Sequence, residues 1–482
     1  MLAVVRVLGQ LLVIFGATYL LPLVTSLIYR DGTWKEFLFS AVLTSGAGGV
    51  IWLLTRSHQR ELRSRDGFLL VTLAWVTMSA VSAVPMMLLL PDLTFTDAFF
   101  ESTSGLTTTG STVLSNLDSL APAINMWRHA LHWLGGMGII VLALAILPLL
   151  GVGGMQLYRA ESPGPVKDTK LTPRITGTAK RLWFTYLAMT VVAIVILWIC
   201  GLDWFDAICH ALSVVALGGF SNYDTSVGKL QSPLVEFVLI VFMLIAATNF
   251  ARHFVAFRRL TLEPYRTDPE LKARMLLLAA SIVLIAVVVH LSGQYGDLFN
   301  AIRHVTFTVV SVATTTGFVT EDYEKWPQFA GYWLLLLSCV CCSIGSTGGG
   351  IKMFRTLVLW RQGFREMRLM VHPHAVEPIR IGGHVVPNRI AYAVLAFIFL
   401  YFMVVVGLTF ALLLSGLDFI SAFTAIVASV NNMGPGLGRV GPSTTYQSLT
   451  DFQTWVCSIA MFMGRLEIFS VLVLFTPAFW KK

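Results

Sequence analysis

Runs of about twenty apolar residues recur along this chain, each long enough to cross a bilayer as a helix. They fall at residues 4–29, 34–55, 67–90, 126–150, 182–200, 234–257, 275–291, 331–360, 389–414 and 452–480. Within each of the last four pairs lies a shorter apolar piece, too short to cross. Each piece leads into a glycine-bearing loop: Thr107-Thr108-Thr109-Gly110-Ser111, Leu217-Gly218-Gly219-Phe220-Ser221, Thr314-Thr315-Thr316-Gly317-Phe318 and Asn431-Asn432-Met433-Gly434-Pro435. The key glycines Gly110, Gly219, Gly317 and Gly434 stand 109, 98 and 117 residues apart. That period is too long for a solenoid and suits a unit of helix, re-entrant loop and helix. The pattern predicts an all-α polytopic membrane protein with ten transmembrane helices. An N-terminal pair occupies 1–56. Four pseudo-fourfold helix–pore-loop–helix repeats follow at 66–158, 180–258, 270–370 and 387–482, arranged around one pore.

The short pieces share a beginning. Asp97, Asp206, Asn300 and Ser421 are residues that cap helices well, and they precede the key glycines by 13, 13, 17 and 13 residues. The four extra residues of the third copy amount to about one helical turn. The first apolar run is too long for a signal-peptide core and has no small-residue cleavage pattern, so it reads as a helix.

Composition narrows the class. Of 482 residues, 56% are hydrophobic and 12% charged, about half the charged share of a soluble chain. The net charge of +8 does not point to nucleic acid, because the basic residues cluster in connectors. The N-terminus, the four basic connectors and the C-terminus hold 26 of the 34 Lys and Arg. The opposite connectors hold seven: Arg30, Lys35, Arg128, Lys229, Arg303, Lys325 and Arg439. The positive-inside rule then puts both termini in the cytoplasm and has every loop enter from outside and return there.

Non-helical backbone survives at membrane depth only where it lines water or is buried in protein. Four such loops can share one water-filled axis. Glycine admits positive φ, so successive carbonyls can point the same way, and a ring of carbonyls can replace the hydration shell of a monovalent cation. No loop carries Asp or Glu at its tip, which argues against a carboxylate ring for divalent cations.

A second polar break interrupts the 331–360 helix: Gly345-Ser346-Thr347-Gly348-Gly349-Gly350-Ile351-Lys352. Four glycines are costly in a helix, at about 1 kcal/mol each. The stretch is no phosphate loop, since Ile351 precedes the lysine and no Ser or Thr follows it. Gly436-Leu-Gly438-Arg-Val-Gly441 matches GxGxxG but follows no strand, so a dinucleotide site is rejected. The reading for 345–350 is an unwound intramembrane gate below the loops, against a simple kink or close packing. Arg465, inside the last apolar run, is a charge where charge is expensive; it is either structural, as a partner of Glu467 or a snorkelling side chain, or functional. Lys352 is a weaker candidate of the same kind. His129, His132, Arg252 and His253 read as interfacial or structural. Cys339 and Cys342 have CxxC spacing, but within a membrane helix and without a histidine cluster they read as inert thiols.

These loops resemble those of the Trk/Ktr/HKT superfamily of potassium transporters. The extra N-terminal pair and the motif Asn431-Asn432-Met433-Gly434-Pro435-Gly436 look most like its bacterial TrkH branch. The resemblance covers the whole chain. It implies K+ held by backbone carbonyls of Thr108, Thr109, Leu217, Gly218, Thr315, Thr316, Asn432 and Met433, just before the four glycines. It implies selectivity for K+ and Rb+ over Na+, because no serine replaces a key glycine. It implies that Gly345–Gly350 gates the pore, that Arg465 faces the pore below the filter, and that no cofactor is needed. It also implies a homodimer in the bacterial inner membrane, regulated by a cytosolic TrkA-like nucleotide-binding ring. The rival reading is a cation-coupled symporter working by alternating access. An enzyme is not expected, as no HExxH, nucleophile triad or acid pair is present.

Overall fold

The computed structural model describes residues 1–58, 62–145 and 172–481. Of the basic connector at 159–181, Arg159, Lys167 and Lys170 lie outside the described residues, as do Arg60 and the end of the 126–150 run.

The described residues are mostly helical. Leu2–Tyr29 and Trp34–Thr55 form the N-terminal pair. They touch backbone to backbone: a Cβ on Gly9 would lie 2.8 Å from the Gly48 oxygen, and one on Gly48 would lie 2.7 Å from the Gly9 oxygen. Small residues at a crossing are how membrane helices gain dispersion contact where lipid offers no hydrophobic drive. Tyr19 then stacks on Trp127 at 4.4 Å between ring centroids and donates to the Val81 carbonyl at 2.8 Å, which docks the pair on the first repeat.

Each repeat opens with a spanning helix: Arg65–Leu89, Ala179–Ile199, Pro269–Leu291 and Asn388–Leu414. A short helix follows: Phe95–Leu106, Trp204–Ala216, Leu298–Ala313 and Phe419–Asn431. The third is longer, 16 residues against 12, 13 and 13, as the wider spacing predicts. The caps stand three residues earlier than expected. Thr94, Asp203, Asp297 and Asp418 are the N-caps, and Asp97, Asp206, Asn300 and Ser421 sit in the first turn. In three copies the earlier side chain accepts the amide of the later residue: Thr94 from Asp97, Asp203 from Asp206 and Asp418 from Ser421. Two good capping residues compete in each copy, and geometry favours the one in extended backbone.

The inner helices are Pro122–Ala145, Pro233–Ala246, Gln328–Val340 and Asp451–Arg465. Two of them depart from the sequence reading. The 234–257 run is not one helix. It bends by 98° between Pro233–Ala246 and Phe250–Arg259, where Asn249 caps the second segment through the amide of Ala251. The 452–480 run bends by 112° between Asp451–Arg465 and Ile468–Phe475, with Glu467 at φ +60°. Both bends fall inside long apolar runs, marked only by short polar breaks, Thr248-Asn249 and Gly464-Arg465-Leu466-Glu467. Against ten crossings expected, six helices among the described residues are long and apolar enough to span, or eight if each bent pair counts as one span. The third inner helix is split, with residues 341–352 non-helical before Met353–Val371. A two-residue-per-strand hairpin, Arg380–Ile381 with His384–Val385, lies in the connector that follows.

The interior is a large hydrophobic core with polar and charged groups set into it. Glu101, Arg128, Thr108, Thr315 and Asn432 are buried, while Ile28, Leu54, Phe184 and Leu276 are exposed. Large apolar side chains on the outside suit a lipid-facing exterior, and charges buried inside a membrane protein are costly unless paired.

Candidate functional site

The four short helices end in the same turn. In each, the residue two before the key glycine is left-handed: Thr108, Leu217, Thr315 and Asn432 at φ 53°, 55°, 56° and 52°. The residue after it donates its amide five residues back, from Thr109 to Ser104 at 2.8 Å, Gly218 to Ser213 at 2.9 Å, Thr316 to Ser311 at 2.8 Å and Met433 to Ala428 at 2.9 Å. The left-handed residue itself donates three back, to Gly105, Val214, Val312 and Ser429. This is the Schellman helix stop, repeated four times without the glycine it normally uses. Three ordinary side chains and one Asn hold a disfavoured φ, a strain that clusters at functional sites. The glycines after it have φ 83°, 82°, 84° and 98°.

The glycines close a ring. A Cβ on Gly110 would lie 2.1 Å from the carbonyl oxygen of Gly218; on Gly219, 2.0 Å from that of Thr316; on Gly317, 2.1 Å from that of Met433; on Gly434, 3.0 Å from that of Thr109. Each loop thus presents the carbonyl just before its glycine to the α-carbon of the previous loop's glycine. At the first three, any side chain would force a backbone oxygen to shift; at Gly434 a small adjustment suffices. The four glycines also line one cavity, shared with Tyr446 and Arg128.

Side chains brace the ring. Thr107 and Thr109 share a hydroxyl hydrogen bond of 2.7 Å, and Thr314 and Thr316 repeat it at 2.7 Å. Asn432 Nδ2 donates across loops to Thr109 Oγ1 at 3.0 Å. His129 and His132, read from sequence as interfacial or structural, are wholly buried behind the second loop. Both rings bond Ser213 Oγ, at 2.9 and 2.8 Å, and His132 stacks on Phe220 at 4.1 Å.

Residues 341–352 lie directly against the ends of the short helices. The amide of Gly349 donates to Thr315 Oγ1 at 2.9 Å. Thr347 Oγ1 donates to the Val215 carbonyl at 3.2 Å. A Cβ on Gly349 would lie 2.0 Å from the Asn431 oxygen, and one on Gly348 would lie 3.2 Å from the Thr314 oxygen. Ser346 Oγ turns back to its own segment, donating to the Ser343 carbonyl at 2.7 Å. The segment therefore touches the second, third and fourth short helices at once.

Arg465 is the last residue of its helix and is buried. It does not pair with Glu467. Its Nη1 donates to the Thr347 carbonyl at 2.7 Å and its Nη2 to the Gly135 carbonyl at 3.0 Å. Glu467 instead takes Arg355 at 2.6 Å and Lys352 Nζ at 3.9 Å. Lys352, at φ +76°, thus faces the bend in the fourth repeat. Arg355, Glu467 and Asn249 were not singled out from sequence as site residues; the polar break each makes in an apolar run was the available signal. The cysteines are free thiols, and no cluster of three metal-ligating side chains occurs among the described residues.

A family model for TrkH, described as a cation transport protein, matches residues 34–482. The chain belongs to the TrkH family. It is 45% identical over 484 residues to the Trk system potassium uptake protein TrkH of Halomonas elongata, covering 99% of both chains. It is 44% identical over 481 residues to the protein of the same name from Escherichia coli K12, covering 100% of this chain and 99% of that one. Among solved structures, the crystal structure of the potassium transporter TrkH from Vibrio parahaemolyticus superposes with a TM-score of 0.92 at 40% identity, over 100% of this chain and 99% of that chain. As a TrkH-family member the chain is a multi-pass membrane transport protein and not an enzyme.

Proposed function

We propose that this chain takes up potassium across a bacterial inner membrane through a gated, channel-like pore selective for K+ and Rb+ over Na+. The observation that carries the reading is the closed ring in which four glycines each face the next loop's carbonyl. Potassium would be held by the carbonyls of Thr108, Thr109, Leu217, Gly218, Thr315, Thr316, Asn432 and Met433, at the filter formed with Gly110, Gly219, Gly317 and Gly434. The oxygens stand in for the ion's water, and the short helices add the negative ends of their dipoles below. The names of the relatives, all potassium uptake proteins, support the choice of ion.

Gly345, Ser346, Thr347, Gly348, Gly349 and Gly350 act as the gate in this reading. Arg465 pins Thr347, and its fixed positive charge opposes a cation in the inner pore. Opening requires the Arg465–Thr347 and Gly349–Thr315 hydrogen bonds to part. Both termini face the cytoplasm, and the protein works as a homodimer with a cytosolic TrkA-like nucleotide-binding ring on its basic inner surface. The relatives' membership of a named Trk system supports partner components.

The deciding experiment is Rb+, K+ and Na+ permeability of the purified protein in liposomes. Selective, saturable Rb+ and K+ flux supports the pore; equal Na+ flux overturns the selectivity. One observation favours a second reading, a cation-coupled symporter: the inner helices of the second and fourth repeats are bent by 98° and 112°, as in broken-helix transporters. Single-channel currents would support the pore, and fixed-stoichiometry coupled uptake the symporter.

A further inference from the structure

Three of the ring's four seams are closed in different ways. Between the fourth and first loops the ties are neutral: Ser111 Oγ donates to the Gly434 carbonyl at 2.9 Å, and the Tyr446 amide to the Thr112 carbonyl at 2.9 Å. Between the second and third, the Gly228 amide donates to the Val319 carbonyl at 3.1 Å. The seam between the first and second loops carries an ion pair. Glu101 Oε1 and Arg128 Nε are 2.8 Å apart, and both side chains are 0% exposed.

The pair reaches both loops just outside their glycines. Glu101 accepts from Thr112 Oγ1 at 2.9 Å and from the Val113 amide at 3.0 Å. Arg128 Nη1 donates to the carbonyl of Ser221, two residues past Gly219, at 3.2 Å. Its Nη2 reaches Thr112 Oγ1 at 3.4 Å. The guanidinium lies 4.1 Å from the Phe220 ring centroid, and Arg128 lines the cavity onto which the four glycines open. A bare cation at that mouth would repel another. The carboxylate cancels it, and the planar fork fixes two loops at once. Burying two charges costs desolvation that only close geometry and further hydrogen bonds offset, so such a pair adds little to stability by itself. Sequence alone counted Arg128 among the outer connector charges; it belongs to no exposed connector.

We infer that Glu101 and Arg128 are positioning residues for ion selectivity, holding the exits of the first two loops in register, with the Glu101 carboxylate offsetting the Arg128 charge beside a cavity that Asp224 also lines. The inference rests on the potassium-pore reading above. Rb+ and Na+ uptake into liposomes tests it, using Glu101→Gln, Arg128→Lys and Thr112→Val, with Arg303→Lys as control. Arg303, near the start of the third short helix, forms a bidentate but partly exposed pair with Glu236 at 2.7 Å. The ratio of Rb+ to Na+ uptake should fall at least about fivefold in the first three variants and stay at the wild-type value in the control. Arg128→Lys keeps the charge and Thr112→Val keeps the ion pair, so both remain informative if Glu101→Gln does not fold. A wild-type ratio in folded Arg128→Lys and Thr112→Val protein overturns the inference while leaving the pore reading intact. A wild-type protein that passes Na+ as readily as Rb+ overturns the pore reading, and this inference with it.

Discussion

Arg465 Nη1 lies 2.7 Å from the main-chain oxygen of Thr347, joining two residues 118 positions apart. The contact ties the end of the fourth inner helix to the segment packed beneath the loops. The second arm of the same guanidinium holds Gly135 in the first repeat at 3.0 Å.

Arg465→Ala removes both ties and the fixed charge. Hydrogen bonds to charged groups contribute about 1.5–3 kcal/mol each, so basal Rb+ uptake in liposomes should rise at least about threefold. Arg465→Lys cannot span both carbonyls and should give an intermediate rate. Unchanged kinetics in Arg465→Ala would remove its role in gating.

Deleting 346–350 takes out the Thr347 and Gly349 contacts together. Rb+ flux should increase without any partner protein. A flux equal to wild type in folded protein would show that the segment does not obstruct the path.

The ring distances rank the glycine variants. Alanine at Gly110, Gly219 or Gly317 places a Cβ within 2.1 Å of a carbonyl oxygen, while Gly434 leaves 3.0 Å. A positive φ adds roughly 1–2 kcal/mol to each. Rb+ uptake should be lost at the first three and reduced at the fourth. The reverse order would contradict the ring.

Trp127 is fully buried and meets Tyr19, Phe15 and Phe37 at 4.4, 6.1 and 6.4 Å between centroids. Trp127→Ala should lower stability by about 3–5 kcal/mol, seen as a reduced unfolding temperature in detergent. A shift too small to measure would mean the N-terminal pair is held elsewhere.

Asp418 caps the fourth short helix, and the amide of Ser421 holds its carboxyl below the usual value of 3.8. A depressed pKa in the folded state contributes stability above the unfolded value and loses it as pH falls through the folded one. The stability difference between wild type and Asp418→Ala should therefore be constant at neutral pH and shrink only below about pH 4. A difference that already shrinks near neutrality would assign the cap to another group.

The repeat of short helix and glycine loop was legible because membrane depth imposes it. An apolar run too short to cross, ended by Thr-Thr-Thr-Gly or its variants, has to turn back. The glycines were legible for a similar reason, since positive φ and close approach select them. The caps were off by one turn because Asp97, Asp206, Asn300 and Ser421 are as good on paper as the residues three before them. The bends at Asn249 and Glu467 were hidden because the polar breaks that mark them are short and sit inside long apolar runs.

Sequence by itself determined the class and the plan of short helix and glycine loop, because hydrophobic length and backbone satisfaction in lipid are local demands. Only the tertiary structure decided the partners: Arg465 with Thr347 rather than Glu467, Glu467 with Arg355, and Arg128 with Glu101. Pairing of buried charges depends on which side chains from distant repeats share one desolvated space, and no spacing along the chain encodes that.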